Sequence, residues 1–250
     1  MSLVGFSFSV AGLLFPYHVG VTSVLKASDV FTPATPLNGA SGGALAACCA
    51  AAGLSDADAL DASQKIANRC TNEGAFLKLG TILRDGLNDL VDDELLQALN
   101  ERPGRVEFSY TSIKPRAPSQ PFSTPKDLID ILCASSHIPL YSSINPVVSV
   151  NSEFGADGFL SSPETLGMRA VTDADTTIFV TPFSIFSSNQ ANQAIASQNL
   201  IAPQKGEIPF SSSDYVNLAL GRPGPSPSDQ SALFDLGEKC ANRWLLTQTK

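Results

Sequence analysis

The chain has 250 residues, of which 43% are hydrophobic and 16% charged, with a net charge of −8 and a pI near 4.7. That length and apolar content suit one sizeable α/β domain with a buried core. No Lys/Arg cluster exists to neutralise a phosphate backbone, so nucleic acid is not expected as a partner, and the acidity argues against simple electrostatic docking on anionic lipid.

The chain opens MSLVGFSFSVAGLLF. Residues 3–9 alternate as a core strand does, and no positively charged n-region or cleavage site suggests a signal peptide. A small-residue turn over 10–16 leads into a helix over 17–28, with Pro16 near the first turn, where its missing N–H does no harm. A strand over 34–38 and a helix of very small side chains over 42–52 repeat the unit. Two strand–turn–helix units in succession predict a three-layer α/β/α domain with a mainly parallel central sheet, strand 3–9 beside strand 34–38.

Helices are expected over 56–69, 75–90 and 93–100, the last opened by Asp92 as N-cap with acids in its first turn. RVEFSYTSIK, 105–114, reads as a strand, and a proline-rich loop follows. Thr124 as cap and Pro125 behind it predict a helix over 124–136. Short strands are expected near 146–150, 153–157 and 176–181. Ser, Asn, Gln and Pro dominate 184–228, which predicts irregular structure. A terminal helix over 228–247 places Leu233, Leu236, Cys240 and Trp244 on roughly one face. It mixes charge signs on the other, so it reads as core packing rather than a membrane-surface helix. No run of 18 apolar residues predicts a membrane span.

The stretch NGASGGALAACCAAAG, 38–53, contains G-x-S-x-G centred on Ser41. A serine at a strand-to-helix turn has a strained backbone and an exposed hydroxyl. Gly39 and Gly43 leave room for the close approach of strand and helix. The helix N-terminus offers partial positive charge to a developing oxyanion. A serine nucleophile needs a base, and the chain has only two histidines, His18 and His137. A Ser-His-Asp triad would use one of them, although neither sits beside an acid in sequence. Asp157, in FGADGFLSSP, is the better candidate, since a carboxylate serves as base when burial raises its pKa. The five cysteines are odd in number, lack C-x-x-C spacing and include an apolar pair, Cys48–Cys49. They read as reduced, buried thiols of an intracellular protein, and no metal or cofactor is expected.

The order of these motifs (small-residue turn, YHVGV, GASGG, a helix ending in SSHIP, then D-G) resembles the patatin-like phospholipase family over about residues 3–163. The similarity is greatest to the branch that includes adipose triglyceride lipase. The resemblance implies a single acyl hydrolase domain over 1–250 that cleaves carboxylic esters of lipids through a Ser-Asp dyad. Ser41 would be the nucleophile, Asp157 the base, and the amides of Ala11, Gly12 and Gly42 the oxyanion hole. A lipid substrate would be met at a peripheral membrane or lipid-droplet surface. The family's G-x-G-x-x-G loop falls on Val10–Phe15, where only Gly12 remains, and its aspartate motif is D-G-F here, with Phe159. An aliphatic residue at position 14, where phospholipases of the family often carry arginine, points to neutral glycerolipids. The eroded loop leaves a catalytically weak or inactive lipid-binding or scaffold protein as the alternative.

Overall fold

A computed structural model describes residues 3–112, 116–150, 152–184 and 199–248. A five-stranded, wholly parallel sheet has the order β3-β2-β1-β6-β7, with β1 at Val4–Phe8, β2 at Leu37–Ala40, β3 at Val106–Ser109, β6 at Thr176–Val180 and β7 at Leu200–Ile201. β1 and β2 lie side by side as expected, with Phe6 opposite Leu37 and Phe8 opposite Gly39. A small antiparallel hairpin, β4 (Val148–Val150) and β5 (Glu153–Gly155), stands apart from the sheet.

The two faces of the sheet differ in character because side chains alternate along each strand. Phe6, Phe8, Leu37, Val106, Phe108, Ile178 and Val180 form the apolar face and are fully buried or nearly so. The main core forms there against α1 (Phe15–Ala27), α2 (Gly42–Ala51) and α8 (Pro227–Gln248). α8 turns Leu233, Leu236, Cys240 and Trp244 inward, and Trp244 meets the Phe6 ring edge-on at 6.1 Å. Ser7, Asn38 and Ser109 form a polar row on the opposite face, with Asn38 Nδ2 donating to Ser109 Oγ at 3.1 Å. Residues 158–174, including two short 3-10 turns, cover this side, and the Arg169 amide donates to Ser7 Oγ.

Most helix boundaries follow their caps. Ser55 accepts from the Asp58 amide at the start of α3 (Asp56–Glu73), and Gly74 at φ +80 ends it. The helix therefore runs one turn beyond 69. α4 (Leu79–Leu90) starts later than 75, because 75–78 form a turn closed by the Leu79 amide donating to Ala75 O. α5 (Asp93–Glu101) and α6 (Pro125–Ser135) begin on the Asp92 and Thr124 caps. β3 is shorter than the strand expected over 105–114: beyond Ser109, Tyr110 and Thr111 leave the sheet to bridge Arg116 and Ala156. Positions 113–114 of that strand and 185–198 of the expected irregular stretch lie outside the described residues. Within the remainder of 184–228, β7 and a helix, α7 (Ser212–Leu220), are formed. Ser211 caps α7 by accepting from the Asp214 amide, and Gly221 in the left-handed region stops it.

Candidate active site

The C-terminal ends of parallel strands are where open α/β sheets gather their ligand-binding loops. Here β1 delivers residues 9–12, β2 delivers Ser41, and β3 leads to the bridge that fixes Ala156 beside Thr111. Ser41 lies between β2 and α2 with φ +55 and ψ −127, a combination that an L-residue holds only when its surroundings impose it. The packing here is tight. A Cβ on Gly43 would stand 2.3 Å from Ser9 O and 2.5 Å from Phe8 O, so only glycine lets α2 press against the end of β1. The Ser41 amide donates to Ser135 Oγ at 2.8 Å, and that hydroxyl donates to Ser109 O at 2.7 Å. Ser135 is fully buried at the end of α6 and ties the turn to β3.

Asp157 is buried and held at its backbone on both sides. Its amide donates to His137 O at 2.8 Å, and its carbonyl accepts from Thr111 Oγ1 at 2.8 Å. Desolvation raises its pKa to about 6, opposed by the Phe159 amide, which donates to Oδ1 at 2.9 Å, and by the Ser41 hydroxyl. The Ser41 hydroxyl stands close enough to the Asp157 carboxyl to lower that value, and both side chains line one cavity. A carboxyl with this pKa is mostly ionised at pH 7 and still basic enough to take a proton.

Neither histidine completes a triad. His18 is fully buried, with Nε2 3.1 Å from Ser9 O, and burial lowers its pKa to about 4. It is therefore neutral, packed edge-on against Phe8. His137 Nε2 is bonded to Asn145 O at 2.8 Å, and its contribution near Asp157 is the backbone carbonyl.

The loop after β1 closes over the start of α2. Gly12 takes φ +54, and a Cβ on it would fall 2.0 Å from Ala219 O. A Cβ on Gly42 would sit 3.0 Å from Gly12 N and 3.1 Å from Ala11 Cβ, which brings Ala11, Gly12 and Gly42 together beside Ser41. The amides of these three residues have no acceptor among the described residues, which leaves them available to an incoming oxygen. The only positive φ in the loop falls on its surviving glycine, and Phe15 holds helical φ −43. Leu14 is fully buried among Ala11, Tyr215, Leu218 and Leu233, so its side chain faces the core and says nothing about a ligand.

Two cavities meet at Ser41. One, narrow and about 70 Å³ in volume, runs between α2, α3 and α4. The other, of about 370 Å³ and more open, lies between the 10–12 loop, Ile138–Pro139, Asp157–Leu160 and the end of α7. Among the described residues the first is lined by no charged side chain and the second by Asp157 alone. Buried polar groups that the sequence reading passed over stand here as well. Beside Ser135, the Ser136 hydroxyl borders the first cavity, buried and without a hydrogen-bond partner among the described residues. Two adjacent serines closing the apolar run LIDILCA of that helix were the available signal.

Among the described residues no helix is long and apolar enough to cross a membrane, and no cluster of potential metal ligands occurs. The structure is similar to the crystal structure of VipD from Legionella pneumophila, with a TM-score of 0.60 over 99% of this chain and 67% of that one, at 12% identity. No curated protein matches the chain by sequence. The family model described as patatin-like phospholipase matches residues 6–167, which span both Ser41 and Asp157. The chain belongs to the patatin-like phospholipase family, whose members are generally lipid acyl hydrolases.

Proposed function

We propose that this protein is a serine lipid acyl hydrolase working through a Ser41–Asp157 dyad. One observation carries the proposal: a serine at φ +55 on a strand-to-helix turn, facing a buried carboxyl of raised pKa, at the junction of two apolar cavities. Asp157 takes the hydroxyl proton as Ser41 Oγ attacks the ester carbonyl carbon. The amides of Ala11, Gly12 and Gly42 hold the oxyanion. Collapse breaks the bond to the leaving alkoxide, which receives the proton from Asp157. Water, deprotonated by the same carboxylate, then attacks the acyl-enzyme, and Ser41 recovers its proton as the fatty acid leaves.

The absence of any cation lining either cavity, among the described residues, supports neutral glycerolipids over phospholipids, since a phosphate there would be buried unpaired. That preference accords with the branch containing adipose triglyceride lipase. It rests on the cavities and not on Leu14. Exposed apolar side chains lie on segments that border the open cavity: Leu160 in its wall, Leu140 next to Pro139, Val216 on α7, and Phe76 and Leu77 against Tyr141, whose hydroxyl donates to Leu220 O. They support peripheral contact with a membrane or lipid droplet, through which substrate would enter. Five buried free thiols support a reducing, intracellular setting. One core that joins β1 to the terminal helix α8 supports a single domain over the whole chain.

The lipid-binding or scaffold alternative draws on Val10 and Phe15, which stand where the family has glycine. The left-handed backbone of Gly12, the one such residue in the loop, supports the hydrolase instead. Labelling with a fluorophosphonate probe, followed by hydrolysis of a diacylglycerol and of a phosphatidylcholine, separates the two. The hydrolase labels at Ser41, loses labelling in Ser41→Ala and favours the neutral lipid. An unlabelled, inert protein that still binds lipid is the scaffold.

A further inference from the structure

The cavity between α2, α3 and α4 has a direction. Leu79 lies near its mouth, clustered with Leu13 and Ile138. Leu90 lies at the other end, clustered with Cys49 and Ala59. Between them the wall is formed by successive turns of α2 and α4, with Leu45 and Cys48 facing Leu83 and Leu87. Burial raises the pKa of both Cys48 and Cys49, the latter to about 12, so the wall stays uncharged at any physiological pH. We propose that this cavity measures the acyl chain, with Cys49, Ala59 and Leu90 as its end wall, and that it takes unbranched chains of about ten to thirteen carbons. The inference rests on the hydrolase reading for the position of the ester at Ser41.

The length follows from helix geometry. Ser41 to Cys49 spans about 12 Å along α2, and Leu79 to Leu90 about 16 Å along α4, at 1.5 Å per residue. An extended alkyl chain advances roughly 1.25 Å per carbon, given C–C bonds of about 1.5 Å at about 111°. The end wall is thus reached after about ten to thirteen carbons. Up to that point each added methylene enters an apolar space and raises kcat/KM by about fourfold. Beyond it, further carbons meet side chains packed against Phe15 and Val19 and gain nothing.

Ala62 lines the cavity one helical turn nearer the mouth than Ala59, at a partly exposed position of α3, where a larger side chain is tolerated. A turn is about 5 Å, so Ala62→Phe should lower the limit by about four carbons, and Leu90→Ala should raise it. Two series read this. The first is kcat/KM for p-nitrophenyl esters from C4 to C18. The second is displacement of dansylundecanoic acid by saturated fatty acids of the same lengths, measured in Ser41→Ala. The expected result is a limit at C10–C13 in both, moved down by Ala62→Phe and up by Leu90→Ala. A profile without a limit, or one that neither variant moves, overturns the measuring role. A binding limit that shifts as expected without any ester hydrolysis retains the tunnel and removes the hydrolase reading. Hydrolysis indifferent to chain length does the reverse.

Discussion

Replacing Asp157 with asparagine tests the site through stability and activity at once. The carboxyl moves from an ordinary value of 3.8 to about 6 because the fold strips it of water. At 1.36 kcal/mol per pH unit, that difference is about 3 kcal/mol. Its sign is set by linkage. The folded state holds the proton more tightly than the unfolded chain, so the wild type keeps this stability below pH 3.8 and loses it as pH rises through 6. The substituted amide is isosteric with the carboxyl, can still accept from the Phe159 amide and never ionises. The unfolding free energy of Asp157→Asn minus that of wild type should therefore grow by about 3 kcal/mol across this range, most of it between pH 4 and pH 7. Urea unfolding at pH 4, 5, 6, 7 and 8 measures it. The same carboxyl should govern catalysis: wild-type kcat/KM should be half-maximal near pH 6 and fall tenfold per unit below, while the variant should be inactive throughout. A stability difference independent of pH would refute the desolvation argument. Activity unchanged from pH 5 to pH 8 would remove Asp157 as the base.

Ser135→Ala leaves the Ser41 amide buried without its acceptor, which costs about 1–3 kcal/mol; melting temperature should drop, and kcat should fall about tenfold or more with KM little changed. If kcat holds while Tm falls, Ser135 supports the fold and does not position the nucleophile. Gly12→Val forces a Cβ into Ala219 O at a left-handed position and should lower turnover on the order of 10²-fold, the size of one lost oxyanion donor. Val10→Gly, by contrast, should keep activity similar or raise it, and a loss there would show that the loop needs its valine. Dithiothreitol should leave Tm unchanged, because all five thiols are free; a fall on reduction would reveal a disulfide.

Much of the framework was written locally. The Ser55, Asp92 and Thr124 caps fix helix starts wherever they occur, because each satisfies an amide within its own first turn. Ser41 could be singled out because the close approach of α2 to β1 excludes any Cβ at Gly43, and that requirement is visible as G-x-S-x-G. α7 was equally local, with Ser211, Asp214 and Gly221 in capping positions, but its Ser- and Pro-rich surroundings concealed the signal.

What the sequence could not decide is which distant groups meet. Asp157 could serve as a base only if the fold buries it beside Ser41, and its raised pKa is a property of that burial. Ser135 reads as one more helix-end hydroxyl until the register of β2 and β3 brings it to the Ser41 amide. The side-chain direction of Leu14 was out of reach for the same reason: a 3-10 turn, not a residue type, sends it into the core away from both cavities. Cavities are spaces left between helices that touch through tertiary packing alone, so their length and lack of charge appear only once α2, α3 and α4 are assembled. Backbone rules act within a few residues and are legible in the chain, whereas desolvation, orientation and empty volume are set by neighbours that only the folded sheet supplies.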